Sequence, residues 1–310
     1  MTTSTTAWRR ARLSLEGLSV GDAFGERFFA TEPLLRLPRA IARRDPSDPP
    51  GASSSRGCWR WTDDTAMSVS ILEELLGHGH IVERSLAARF GVAYRNEPDR
   101  GYGSTAHEIL SEIAAGVAWQ EAAARPFSGT GSKGNGAAMR AAPLGVFFDD
   151  LDVVVDEAVK SALPTHRHPD GIAGAIAVAV AAHAFARGVD DDALFDVVVA
   201  RTPSGAVRDN LLIARAQPLS EHPEDAADVI GNGGDVLAED TVGYCLWCAV
   251  RGRRKGFSDA LYETVRGMGD IDTNCAIVGG LLAVPLGAPQ IPMSWREKRE
   301  PLPSSMGALS

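Results

Sequence analysis

Apolar residues recur at spacings of three and four over most of this chain, and scarcely anywhere at spacings of two. The windows 8–20, 65–76, 85–94, 105–116, 151–162, 171–187, 192–200, 208–215, 236–250, 257–266 and 274–284 carry the pattern. A period near 3.6 marks an amphipathic helix, whereas strict alternation marks a half-buried strand. The β-branched runs at 153–155 and 197–199 lie inside longer helical windows. Alanine-rich windows favour the helix and allow close packing between helices. The expected fold is therefore all-α, a single compact multi-helix domain over 1–284. Residues 285–310 are rich in proline and read as a loosely held tail. At 310 residues, 45% of them hydrophobic, the chain can bury a large core.

Charge and cysteine usage exclude several classes. The net charge of −9 disfavours a broad phosphate-backbone footprint. The basic run Arg251, Arg253, Arg254 and Lys255 follows an apolar helix. It reads as a solvated helix end that complements the dipole, with nucleic-acid contact the lesser alternative. Residues 171–186 come nearest to a membrane span, but they contain His183 and read as a buried helix. The N-terminus has no long apolar core of a secretory signal. Cys245 and Cys248 form a Cys-x-x-Cys within a helical window, with no second pair at zinc spacing. The expectation is a reduced, cytoplasmic, monomeric protein with neither membrane nor nucleic-acid partner. Residues 38–57, rich in Pro, Ser, Arg and Gly, read as a functional flap.

Two short segments carry the chemistry. Thr62-Asp63-Asp64-Thr65 and Asp270-Ile271-Asp272-Thr273 each combine two carboxylates with hydroxyls, and each opens an apolar helical run. Hard oxygen ligands suit Mg²⁺ or Mn²⁺. Four carboxylates in one place would repel each other unless cations lay between them, which is the layout of a two-metal centre. A simpler reading is available, because Thr62 and Asp63 are good helix caps and acids in a first turn favour the dipole.

Three loops add candidates. Gly129, Gly131, Gly134 and Gly136 punctuate a loop that also holds Ser132 and Asn135. Its backbone N–H groups would suit an anion, and a following helix N-terminus would add positive potential. It is neither a Rossmann nor a Walker loop. His166 and His168 precede the alanine-rich helix, either as surface residues or as ligand contacts. Asp99 and Tyr102 flank a loop-to-helix junction that offers an acid and a stacking ring, or simply a cap on Ser104 or Thr105. Asp22, between Gly21 and Gly25, either supports a metal cluster or is a buried structural acid.

The segments GLSVGDAFG, WTDDTAMS, RGYG, GSKGNGAAMRAAPLG, THRHPDGIAGA, EDTVGYCL and GDIDTNCAIVGG resemble, in order, those of the ADP-ribosylglycohydrolase family, of the dinitrogenase-reductase-activating type. The resemblance implies an all-α enzyme with a binuclear Mg²⁺ or Mn²⁺ centre. The enzyme would release ADP-ribose from an ADP-ribosylated protein or small molecule. It implies Thr62, Asp63, Asp64, Asp270, Asp272 and Thr273 as metal ligands. It implies Gly131, Ser132, Gly134, Asn135 and Gly136 as the diphosphate and ribose loop, and His166 as a ligand contact. Asp63 doubles as a candidate catalytic group. Two positions depart from the family pattern: Met268, where a Gly is common, and, of more consequence, Phe29, which stands where members carry a glutamate; a Phe can neither ligate a metal nor move a proton. Asp99 is the first replacement acid to consider and Glu26 the second. The alternatives are an ADP-ribose-binding protein that has lost turnover, or a hydrolase of another nucleotide glycoside.

Overall fold

The computed structural model describes residues 5–29 and 58–307. Among them are fifteen α-helices and no strands. In chain order these are α1 (Thr5–Glu26), α2 (Asp63–His78), α3 (Glu83–Asn96), α4 (Ser104–Ala114), α5 (Trp119–Ala124), α6 (Ala142–Gly145), α7 (Leu151–Ala162) and α8 (Pro169–Ala186). They continue with α9 (Asp191–Arg201), α10 (Ala206–Ala216), α11 (Pro223–Ile230), α12 (Ala238–Gly252), α13 (Phe257–Arg266), α14 (Ile271–Leu286) and α15 (Met293–Lys298). Every window with helical periodicity forms a helix. The short helices α5, α6, α11 and α15 lie outside those windows, because one or two turns are too short to show a period. The flap expected at 38–57 lies outside the described residues.

Helices α1 and α14 meet with their backbones nearly touching. A Cβ placed on Gly17 would lie 2.4 Å from the carbonyl oxygen of Gly279, and one on Gly21 would lie 2.1 Å from that of Cys275. Gly25 continues the same face, 2.6 Å from Asp272 Cα by the same measure. Glycines four apart share one side of a helix, so this stripe fixes the register of α1 on α14. It also delivers Asp22 to the start of α14. Around this pair, α8 and α12 run through the core and bury Phe185, Tyr244 and Trp247. Helix α8 is long and apolar enough to cross a membrane, but 78% of its apolar window is buried in the protein.

The segment after 285 is not loosely held, contrary to expectation. Trp295 is fully buried and stacks on Phe24, with centroids 4.5 Å apart and planes 11° apart. Arg296 and Arg299 reach Glu16 of α1 at 3.2 and 3.0 Å, and Arg12 joins the same carboxylate at 3.0 Å. Trp59 and Arg299 also form an isolated bridge. The prolines here set turns between anchors; they do not release the chain.

Candidate metal centre

Asp22 builds the site from below. Its two carboxylate oxygens accept from Thr62 N (3.1 and 3.0 Å), Thr62 Oγ1 (2.9 Å), Thr65 N (3.1 Å) and Thr65 Oγ1 (2.5 Å). This grip pins the first turn of α2 to α1. Thr62 is the N-cap residue of α2 by backbone position, yet its hydroxyl makes no capping bond. The hydroxyl proton instead lies between Asp22 and Asp64 Oδ2, 3.1 Å away. The capping explanation of Thr62 therefore fails. Asp270, the N-cap residue of α14, likewise makes no capping bond. One of its oxygens accepts from Asn135 Nδ2 at 2.7 Å.

The two acid clusters converge. Asp22, Asp64 and Asp272 each offer a carboxylate oxygen, and these atoms lie within 4.8 Å of one another. Asp64 Oδ1 is buried and has no hydrogen-bond partner. Thr273 Oγ1 approaches Asp64 Oδ2 at 3.5 Å, too long for a hydrogen bond of any strength. Asp63 is held through its backbone, which donates to the carbonyl of Arg100 at 2.7 Å. Gly101 lies beside it, because a Cβ there would be 3.6 Å from Asp63 Oδ1.

Burial favours the acid form of Asp22, Asp63, Asp64 and Asp272, and mutual repulsion adds to it for the last three. Burial, then the charges of Asp22 and Asp270, push Asp63 up to about 8. Burial raises Asp22 to about 6 against its hydrogen bonds from Thr62 and Thr65. Asp64 and Asp272 are pushed well above the usual range, first by burial and then by their neighbouring acids. Buried anions without compensating charge are costly. An orphaned carboxylate oxygen among converging acids is the arrangement that a divalent cation relieves. The donor set is all oxygen, so it fits a hard divalent cation and not a soft metal.

The glycine-rich loop differs from expectation. Gly131 N, Gly134 N and Asn135 N are bonded within the protein, to Pro126 O, Ser132 Oγ and Val236 O. Only a single 3₁₀ turn, Asn135–Ala137, follows the loop, so no helix dipole backs it. Gly131 has φ +79° and would place a Cβ 2.6 Å from Arg167 Cβ, so it is needed where the loop crosses the 165–168 turn. Gly134 and Gly136 instead face His166. His166 is buried, and burial followed by the Arg140 charge pushes it down to about 3. His168 caps α8 by accepting from Asp170 N.

The catalytic candidates separate. Asp99 is exposed on the turn before Gly101. Glu26 ends α1 and is half-buried; burial raises it while Arg60 pulls it back. Phe29 is half exposed, at 50%. Tyr102 is no open stacking platform, since Tyr94 packs edge-on against its ring at 5.3 Å. Its buried Oη has no partner, and burial and the Asp63 charge keep it protonated. Thr65 belongs to the first acid cluster in sequence, but its role, donating to Asp22 through both backbone and hydroxyl, shows only in the structure. Arg140, which is not among the site residues expected from sequence, is fully buried behind the glycine-rich loop and donates to Gly136 O. Cys245, Cys248 and Cys275 are buried thiols held high by burial, and they join no metal-binding group among the described residues. The basic run is paired: Arg251 and Lys255 with Glu263, Arg253 and Arg254 with Asp191.

A family model described as ADP-ribosylglycohydrolase matches residues 3–308. ADP-ribosylhydrolase ARH3 of Homo sapiens is 27% identical over 331 residues, covering 94% of this chain and 89% of that protein. The Gallus gallus protein of the same name is 27% identical over 329 residues, with the same shares. An uncharacterized protein of Archaeoglobus fulgidus is 31% identical over 288 residues, 91% of this chain and 88% of its own. A solved structure titled ADP-ribosylglycohydrolase-related protein complex superposes with a TM-score of 0.70 at 24% identity. It covers 98% of this chain and 96% of its own, a likeness of fold.

Proposed function

This chain belongs to the ADP-ribosylglycohydrolase family and is an enzyme of glycosidic bonds, and from that premise we propose that it releases ADP-ribose from an ADP-ribosylated substrate with the help of two Mg²⁺ or Mn²⁺ ions. The observation that carries the metal reading is the buried, partnerless Asp64 Oδ1 among acids whose oxygens lie within 4.8 Å. Thr62, Asp63, Asp64, Asp270, Asp272 and Thr273 are the proposed ligands, with Asp22 either a further ligand or their anchor. Bound cations would orient the ribose hydroxyls and an attacking water and offset the carboxylate charge. Asn135 holds Asp270 in place through its amide. Ser132, Gly134, Gly136 and His166 form the proposed ADP-ribose subsite, and the Tyr102 hydroxyl is a buried donor without a partner. The setting we propose is cytoplasmic, with the enzyme acting as a monomer.

With Phe29 in place of the expected glutamate, another group must move the proton to the leaving atom. We rank Glu26 above Asp99. Burial already favours the acid form of Glu26, and its neighbour Gly25 touches Asp272. Asp99 is exposed, although the next residue's carbonyl accepts from Asp63. General acid–base assistance is worth ~10² to 10⁴ in rate. Glu26→Gln should therefore lower turnover of an ADP-ribosylated substrate by at least about a hundredfold, with Asp99→Asn close to wild type; the reverse order reassigns the acid. Phe29 also favours a second reading, in which the cleft binds ADP-ribose without cleaving it. Wild type that binds ADP-ribose and releases none from any tested acceptor would establish that reading.

A further inference from the structure

A hydrogen-bond chain behind the loop decides what His166 can do. Arg140 is fully buried, and among the described residues it forms no ion pair with a carboxylate. Its Nη1 donates to Gly136 O at 2.9 Å. Its Nη2 donates to Ser161 O at 3.0 Å and to Thr165 Oγ1 at 2.8 Å. Phe90 faces the guanidinium, with its ring centroid 4.6 Å away. Thr165 Oγ1 lies 2.8 Å from His166 Nδ1 and 3.5 Å from Ala162 O.

A hydroxyl has one proton and two lone pairs. Arg140 has no proton-accepting atom, so it must occupy one lone pair of Thr165. Two arrangements remain for the rest. In the first, the Thr165 proton goes to His166 Nδ1. In the second, an Nδ1–H donates into the other lone pair and the Thr165 proton turns toward Ala162 O. An O–H···O bond of 3.5 Å lies far outside the normal 2.5–3.0 Å range, so the second arrangement strands a buried donor. In the first, Nδ1 accepts and the ring proton sits on Nε2. The imidazole is neutral at neutral pH, because burial and Arg140 oppose its charge. A Cβ at Gly136 would stand 3.5 Å from Nε2 and one at Gly134 would stand 3.6 Å away. The missing side chains leave space in front of that N–H.

We propose that Arg140 and Thr165 are positioning residues that fix His166 as the neutral Nε2–H tautomer, a hydrogen-bond donor to an acceptor oxygen of the ligand lying over Gly134 and Gly136. The same guanidinium holds Gly136 O, so one buried cation sets both the loop and the imidazole that faces it. The identity of the ligand rests on the ADP-ribose reading above; the tautomer does not.

The test is long-range ¹H–¹⁵N correlation NMR on the full chain labelled with ¹⁵N-histidine, with the His166 signals assigned by their loss in His166→Gln. From pH 6 to 8, Nδ1 should resonate as an unprotonated nitrogen and Nε2 as a protonated one. An Nδ1–H tautomer or an imidazolium at pH 7 overturns the proposal. Thr165→Val should let the Nδ1–H tautomer appear and weaken ADP-ribose binding about tenfold, and Thr165→Ser should restore both. Thr165→Val with unchanged tautomer and affinity also overturns it. If the valine variant does not fold, the wild-type spectrum alone decides. A wild type with the expected tautomer that binds no ADP-ribose leaves the lock standing and sinks the ligand reading.

Discussion

Metal affinity should rise steeply between pH 6 and 8, and protons should leave as the ion binds. Asp63 is held at about 8 in the metal-free protein, chiefly by burial and then by Asp22 and Asp270. A divalent ion binds the carboxylate and not the acid, so it must displace that proton. For one group at about 8, the apparent affinity should tighten by about fifty-fold from pH 6 to 8, or ~2.3 kcal/mol, and level off above. Asp64 and Asp272 are also raised, so this is a lower bound. The stability of the metal-free protein should move the other way. A carboxyl whose folded pKa is raised contributes stability that is complete below its unfolded value and is lost as pH rises through the folded one. For Asp22 that loss runs through about 6, and for Asp63 through about 8. His166 is shifted down, so its share has the opposite sign, is gained as pH rises toward 6.5 and is absent from the comparison at fixed pH with and without metal. The melting-temperature gap between Mn²⁺-loaded and chelator-treated protein should therefore widen from pH 6 to 8. Calorimetric titration in two buffers of different ionisation enthalpy counts the protons released. An affinity independent of pH over that range, with no proton release, would refute the reasoning.

Three further outcomes follow from the same geometry. Asp64→Asn replaces a carboxyl that burial and its neighbouring acids already disfavour as an anion with a neutral isostere, so chelator-treated variant should melt no lower than wild type while losing the stabilisation by Mn²⁺; a large drop without metal would mean that Asp64 is chiefly structural. Gly21→Ala drives a Cβ to 2.1 Å from Cys275 O; the separation of α1 from α14 should cost ~1–3 kcal/mol or more and should also weaken Mn²⁺ binding, whereas an unchanged denaturation midpoint would contradict the close contact. Trp295→Ala empties the slot beside Phe24 and should cost ~3–5 kcal/mol in chemical denaturation; a neutral result would return the segment after 285 to the status of a loose tail.

The helices and the acid clusters were legible because each has a local signature. A period of 3.6 marks α2, α8 and α14, and two acids with a hydroxyl at a helix start mark 62–65 and 270–273. What stayed hidden depends on contacts remote in sequence. Nothing local says that the carboxylate of Asp22 receives four donors from a turn forty residues on. Nothing local shows that Arg140 reaches Thr165. The glycine loop suggested an open anion cradle; the structure instead pairs several of its N–H groups internally, with Pro126 O, Ser132 Oγ and, where residues 236–238 run alongside, Val236 O. Prolines after 285 suggested looseness, since composition does not reveal that Trp295 has a partner in Phe24. Helices α5, α6 and α15 were too short for periodicity to register. For α11, Pro223 at the first helical turn followed by Glu224 and Asp225 was a start signal that periodicity alone passed over.

The most direct measurement is release of free ADP-ribose from ADP-ribosylated acceptors, including arginine-linked, serine-linked and small-molecule conjugates, by purified protein with Mg²⁺ or Mn²⁺ and with chelator. The account predicts release from at least one acceptor, abolished by chelator and restored by adding back either ion, with Asp272→Ala inactive but folded. Release that persists undiminished in chelator-treated protein, or in Asp272→Ala, would contradict the metal centre on which the account rests.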